Sequence, residues 1–155
     1  MGALLNMMAY MKALLLTLAL LCTGSLHAAP PPDGWLTDYN AALAQAKAEN
    51  KPVLVDFTGS DWCIWCMRLD KEVFAQPVFQ SWAAQNVVLL KLDFPRSIEQ
   101  SAEVKKTNAE LASNYNVGGF PTLLILDADG KELARTGYRR GGAQAYVEHL
   151  KEIIR

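Results

Sequence analysis

Val53-Leu54-Val55-Asp56-Phe57-Thr58-Gly59-Ser60-Asp61-Trp62-Cys63-Ile64-Trp65-Cys66 decides the fold of this chain. Its first five residues are apolar and largely β-branched except for one acid, the composition of a short strand buried in the centre of a sheet. Thr58 to Asp61 reads as a loop. Cys63, Cys66, Met67, Leu69, Val73 and Phe74 then suit a helix, bent near Gln76-Pro77, where the proline ring removes a donor and clashes with the preceding turn. Two cysteines three residues apart therefore open a helix directly after a buried strand.

Working outward, Tyr39, Ala42, Leu43 and Ala46 recur at helical spacing, with Thr37 or Asp38 as the cap and Asn50-Lys51-Pro52 as the stop. Residues 30 to 36 read as an extended lead-in. Downstream, Val87 to Asp93 is a second buried strand ended by Phe94-Pro95. Arg96 to Ser101 is a polar connector, and Val104, Asn108, Leu111 and Tyr115 mark the next helix. Thr122 to Leu126 and Glu132 to Thr136, joined through Asp129-Gly130, give a hairpin signal. A last amphipathic helix starts near Gly142. The spacing predicts an α/β domain: a mixed sheet of about four to five strands flanked by helices, with crossover helices first and an antiparallel hairpin last.

The first 29 residues stand apart from this pattern. Lys12 is the sole charge before Asp33; it is followed by the apolar run Ala13 to Leu21 and then by Leu26-His27-Ala28-Ala29. That order matches a secretory signal cut after Ala28 or Ala29, with Met11 as an alternative start. The run is about ten residues long, against the roughly twenty a bilayer needs, which argues against a span. The expected mature domain is 30–155. Losing Lys12 moves the formal charge from −1 to −2, and Cys22 and His27 leave with it. A chain with 51% hydrophobic and 20% charged residues can fold around one core, and with no basic surplus nucleic acid is not an expected partner.

An exported domain left with only Cys63, Cys66 and His149 from the usual soft ligands has an inventory that centres on the cysteine pair. At a helix start the unsatisfied amides favour thiolate over thiol. Cys63, at the terminus, suits the nucleophile that attacks a disulfide, and Cys66, one turn in, suits the thiol that resolves the intermediate. As a staple the pair is poor, since so short a loop stabilises by about 2 kcal/mol. As a zinc site it lacks ligands, because four are needed. Trp65, between two cysteines at an exposed helix start, reads as a substrate contact; Trp62 fits core and site equally. From spacing alone Phe120-Pro121 reads as an ordinary trans turn.

Val55-Asp56-Phe57, Trp62-Cys63-Ile64-Trp65-Cys66 and Tyr115-Asn116-Val117-Gly118-Gly119-Phe120-Pro121-Thr122, in this order, resemble the thioredoxin superfamily over essentially all of residues 35 to 155. With Glu72-Val73-Phe74 and Pro77 they look most like the C-terminal thioredoxin-like domain of the transmembrane reductase DsbD and the exported stand-alone proteins near it. The resemblance implies that Pro121 is cis and faces the cysteines, and that the Phe120 backbone pairs with an extended substrate. It also implies a groove of Trp62, Ile64, Trp65, Gly119, Phe120, Pro121 and Tyr138. Asp56 matches a buried acid able to take the proton from Cys66, with Lys91 beside it; the alternative for these two is a structural ion pair. The loop after Asp56 is one residue longer than the family pattern, so Asp61 competes as the acid.

The expected function is an exported, periplasmic thiol-disulfide oxidoreductase, acting as a monomer and reducing disulfides of envelope proteins. Its redox group is its own cysteine pair, with no organic cofactor and no metal, and its electrons come from a membrane thiol reductase. The alternatives are an oxidase or isomerase of oxidative folding, and a non-catalytic module that binds metal or client.

Overall fold

The computed structural model describes residues 33–154. The expected leader, its cleavage point and Cys22 lie outside them. In chain order the elements are β1 (Trp35–Leu36), α1 (Tyr39–Glu49), β2 (Val53–Thr58), α2 (Ile64–Leu69), a π-helical turn (Asp70–Phe74), α3 (Pro77–Asn86), β3 (Val88–Asp93), α4 (Ala102–Asn114), β4 (Thr122–Leu126), β5 (Glu132–Thr136) and α5 (Gly142–Ile153). Local chemistry sets most of these limits. Asp38 caps α1 by accepting from the Ala41 N–H at 2.7 Å, and Asn50 ends it in the left-handed conformation at φ 52°. Ser101 caps α4 through the Val104 N–H.

The five strands form one mixed sheet in the order β1-β3-β2-β4-β5. β1 and β2 both run parallel to β3, whereas β4 is antiparallel to β2 and to β5. Successive side chains on a strand face opposite ways, which divides β2 between two cores. Val53, Val55 and Phe57 join Leu90, Leu92, Leu124 and α1's Ala42 and Ala46 on one face. Leu54 joins Leu69, Phe79, Leu123, Tyr146 and Leu150 from α2, α3, β4 and α5 on the other. Each such fully buried side chain contributes about 1.5–3 kcal/mol of transfer free energy. Asp56 stands on the second face, between Leu54 and Thr58, where the apolar pattern calls for another leucine.

Two local details differ from the expectations. The lead-in contains a two-residue strand, Trp35 pairing with Leu89 and Leu36 with Leu90. The helix that starts after Cys63 ends at Leu69 and widens into the π turn, where the Ala75 N–H donates to the Asp70 carbonyl. Pro77 then occupies the first position of a separate helix, where its missing N–H needs no partner.

Candidate functional site at the Cys63–Cys66 disulfide

Cys63 and Cys66 are joined as a disulfide, their Cα atoms 5.2 Å apart. Cys63 is the N-cap of α2, and its own sulfur accepts the Cys66 N–H at 3.2 Å. An amide at a helix start thus already points at the sulfur that would carry the thiolate. The exposure of Cys63 is smaller than its position at the helix start suggests. In the disulfide it is 6% exposed and Cys66 4%, while the next two residues, Ile64 and Trp65, are 66% and 44% exposed. The apolar lip, more than the sulfur, meets the solvent.

Behind the disulfide lies a cavity of about 200 Å3 lined by Asp56, Thr58, Ser60, Cys66, Asp70 and Lys91, among others. One carboxylate oxygen of Asp56 is buried without a hydrogen-bond partner among the described residues. Burial pushes its pKa up to about 7; Lys91 pulls it down, and Asp70 and Asp93 push it further up. Lys91 stands opposite Asp56 in the parallel register of β2 and β3. The structural ion pair considered for these two does not form. Lys91 Nζ lies 3.9 Å from Asp70 Oδ1 and 5.1 Å above the Trp35 ring.

Asp61 is not a rival acid. Its carboxylate accepts from the backbone N–H groups of Arg96, Ser97 and Ile98, at 2.9, 2.6 and 3.2 Å, and these bonds hold its pKa below the usual carboxylate range. It ties the β2–α2 loop to the connector after β3. Asp93 does the same from the other side, accepting from the Ser60 N–H at 2.9 Å and from its hydroxyl.

Trp62, assigned equally to core and site by its sequence, is half-buried, and its indole N–H donates to the Phe94 carbonyl at 2.8 Å. One ring contact is with Phe120, edge-on at 5.9 Å, and the Arg96 guanidinium lies 3.9 Å from its centroid. The Phe120-Pro121 bond is cis, as the resemblance implied. Phe120, at the entry to β4, lies against Trp62, the residue that precedes Cys63. Gly118 and Gly119 have open space where a Cβ would stand. On the other side, the Trp65 ring lies 5.2 Å from that of Tyr138 and 5.2 Å from the Arg68 guanidinium. Tyr138 donates to Glu72 at 2.8 Å, and Arg68 pairs with Glu72 at 3.5 Å.

Of the candidates, Trp62 pairs with Phe120 beside Cys63, Trp65 pairs with Tyr138, and Ile64 stands exposed between the cysteines. Arg96, Glu72 and Asp70 are members of the site that the sequence reading missed. Asp70 and Glu72 belong to the charged run Asp70-Lys71-Glu72 and Arg96 to a polar connector, and only the tertiary contacts distinguish them from solvated surface residues. Among the described residues no group of three or more His, Cys, Asp or Glu is placed to hold a metal ion, and no helix is long and apolar enough to cross a membrane.

Known proteins resemble this chain in sequence and fold. Residues 39–152 match the family model described as a thioredoxin-like domain. The disulfide bond reductase DsbH of Chlamydia pneumoniae is 38% identical over 117 residues, which cover 76% of this chain and 70% of that protein. The thiol:disulfide interchange protein DsbD of Yersinia enterocolitica is 38% identical over 123 residues, 77% of this chain but 19% of DsbD, so the chain spans about a fifth of that relative. Among solved structures, a DsbH oxidoreductase superposes with a TM-score of 0.73 at 36% identity, covering 80% of this chain and 89% of that one. The oxidised C-terminal domain of Neisseria meningitidis DsbD shares the fold, with a TM-score of 0.57 at 20% identity over 74% of this chain and 90% of that one. The family match, joined to a disulfide capping α2, makes this chain a member of the thioredoxin-like family of thiol-disulfide oxidoreductases.

Proposed function

We propose that the protein is an exported reductase that passes two electrons from a membrane thiol reductase to disulfides of envelope proteins or of apocytochrome c. The observation that carries this reading is the cavity shared by Cys66 and the unpartnered carboxyl of Asp56. In the reduced protein the Cys63 thiolate attacks a client disulfide, forming a mixed disulfide and releasing one client thiolate. Cys66 loses its proton to Asp56 and attacks the Cys63 sulfur, which closes the internal disulfide and releases the second client thiolate. An acid whose pKa lies near neutrality is suited to accept that proton and return it when the pair is reduced again. Lys91, opposite Asp56, tunes that acid. The client lies extended along Gly119-Phe120-Pro121, between the Trp62 side and the Ile64, Trp65 and Tyr138 side.

One relative is named a disulfide bond reductase, which supports this direction of flow, and another a thiol:disulfide interchange protein, which supports the chemistry. Residues 1–29 serve as the export signal in this reading. Trapping tests it. In Cys66→Ser the mixed disulfide has no resolving thiol, so covalent adducts that disappear on treatment with dithiothreitol should accumulate on Cys63, and their clients should be envelope proteins. Cys63→Ser should give none. Equal adducts from both variants would overturn the assignment of nucleophile and resolving thiol.

A further inference from the structure

Each tryptophan of Trp62-Cys63-Ile64-Trp65-Cys66 has an arginine over its ring, but the two arginines are not equivalent. Arg68, over Trp65, is paired with Glu72 at 3.5 Å. Arg96, 3.9 Å from the Trp62 centroid, is exposed and forms no ion pair among the described residues. The nearby carboxylate of Asp61 is directed at the backbone N–H groups of Arg96, Ser97 and Ile98, which fixes the backbone that carries the guanidinium. Phe94 fixes the platform, accepting from the Trp62 indole and stacking on Phe120 at 4.9 Å. An exposed guanidinium without an ion-pair partner among the described residues thus lies over an indole that adjoins Cys63 in the sequence and contacts Phe120.

A planar cation of this kind, on an exposed side chain, suits a carboxylate that arrives with the substrate. Stacking on the ring already restricts the guanidinium, so less rotamer freedom is lost on pairing. An extended chain rises about 3.3 Å per residue, so a client passing Phe120 would bring a side chain within about three residues of its cysteine to this position. We infer that Arg96 is a specificity-determining residue that selects client segments carrying Asp or Glu within about three residues of the reacting cysteine. The inference rests on the nucleophile and groove proposed above. It adds a charge preference to an otherwise apolar lip.

The test uses the full chain with Cys66→Ser and three peptides that are identical except for Glu, Gln or Lys flanking one cysteine. That cysteine is supplied as a mixed disulfide with mercaptoethanol, and the rate of peptide adduct formation on Cys63 is measured. With Arg96 present, the Glu-to-Lys rate ratio should exceed that of the Arg96→Gln variant about five- to tenfold at low salt. The excess should shrink in 0.5 M salt, where the screening length falls to a few ångströms. Arg96→Lys should keep part of it. If Arg96 serves only to hold Trp62, Arg96→Gln slows all three peptides equally and the ratio stays, which overturns the inference and leaves the reductase reading intact. A ratio insensitive to salt overturns it as well. Failure of every peptide to form an adduct overturns both.

Discussion

Asp56 is the residue at which stability and proposed mechanism conflict most directly. A carboxyl with one oxygen unpartnered among the described residues in the core costs free energy whenever it ionises, and burial pushes its folded pKa up to about 7 from the ordinary 3.8. Between those two values the native state holds a proton that the unfolded state has released, so stability from this group is present at low pH and is lost as pH rises to about 7. A gap of roughly three pKa units corresponds to about 4 kcal/mol. In Asp56→Asn this contribution disappears. Urea unfolding of the oxidised proteins should show the variant gaining on the wild type from pH 4.5 upward, with the advantage levelling off above pH 7 or so. Reduction of a model disulfide should slow in the same variant and lose its inflection near neutrality. A stability difference independent of pH would mean that the carboxyl is already ionised and paired in the fold.

Among the elements, the β2–α2 loop shows what was legible in the sequence and what was not. Strands β2, β3 and β4 were readable because each is a largely apolar run, interrupted only by Asp56 in β2 and Lys91 in β3 before Asp93 ends it, and α1 because its spacing and its cap agree. β1 was not, since two residues have no period and this strand exists only through its pairing with β3. The π turn was equally hidden: Asp70 to Phe74 continues a helical pattern and gives no sign of one extra residue per turn. In the site, the cysteine pair was legible from spacing. Asp61 and Arg96 were not, because backbone amides and a stacked indole more than thirty residues away decide their roles.

The same loop permits a test of how tightly Trp62 is held. A Cβ on Gly59 would stand 2.6 Å from the Trp62 Cε2 and 2.7 Å from its Nε1, the atom bonded to the Phe94 carbonyl. Gly59→Ala should therefore displace the indole, at the cost of about 1–3 kcal/mol usual for overpacking a fitted site. The urea midpoint should fall by the corresponding amount, and the Trp62 indole N–H should exchange with deuterium faster than in the wild type. Wild-type values for both would show that the loop yields without moving the ring.

For the molecule as a whole, the direction of electron flow is a question of which redox state of the fold is the more stable. A disulfide becomes strongly oxidising when the protein stabilises its reduced thiolate, as in DsbA near −120 mV, against about −270 mV for thioredoxin. Here the Cys63 sulfur receives one backbone N–H, and the two residues between the cysteines, Ile64 and Trp65, offer it no charged hydrogen bond. The Cys63 thiol should then titrate nearer thioredoxin's value of about 7 than DsbA's of about 3.5. The expected potential is roughly −220 to −270 mV on the same scale, measurable by thiol alkylation after equilibration with a dithiothreitol or glutathione buffer. A consequence for folding follows by linkage. With little stabilisation of the thiolate to offset it, the four-residue ring of the disulfide should leave the oxidised chain more stable than the reduced one by about 2 kcal/mol. Paired urea titrations, one with dithiothreitol and one without, read this directly. A reduced form more resistant than the oxidised one, together with a potential above about −150 mV, would identify an oxidant and overturn the reductase reading.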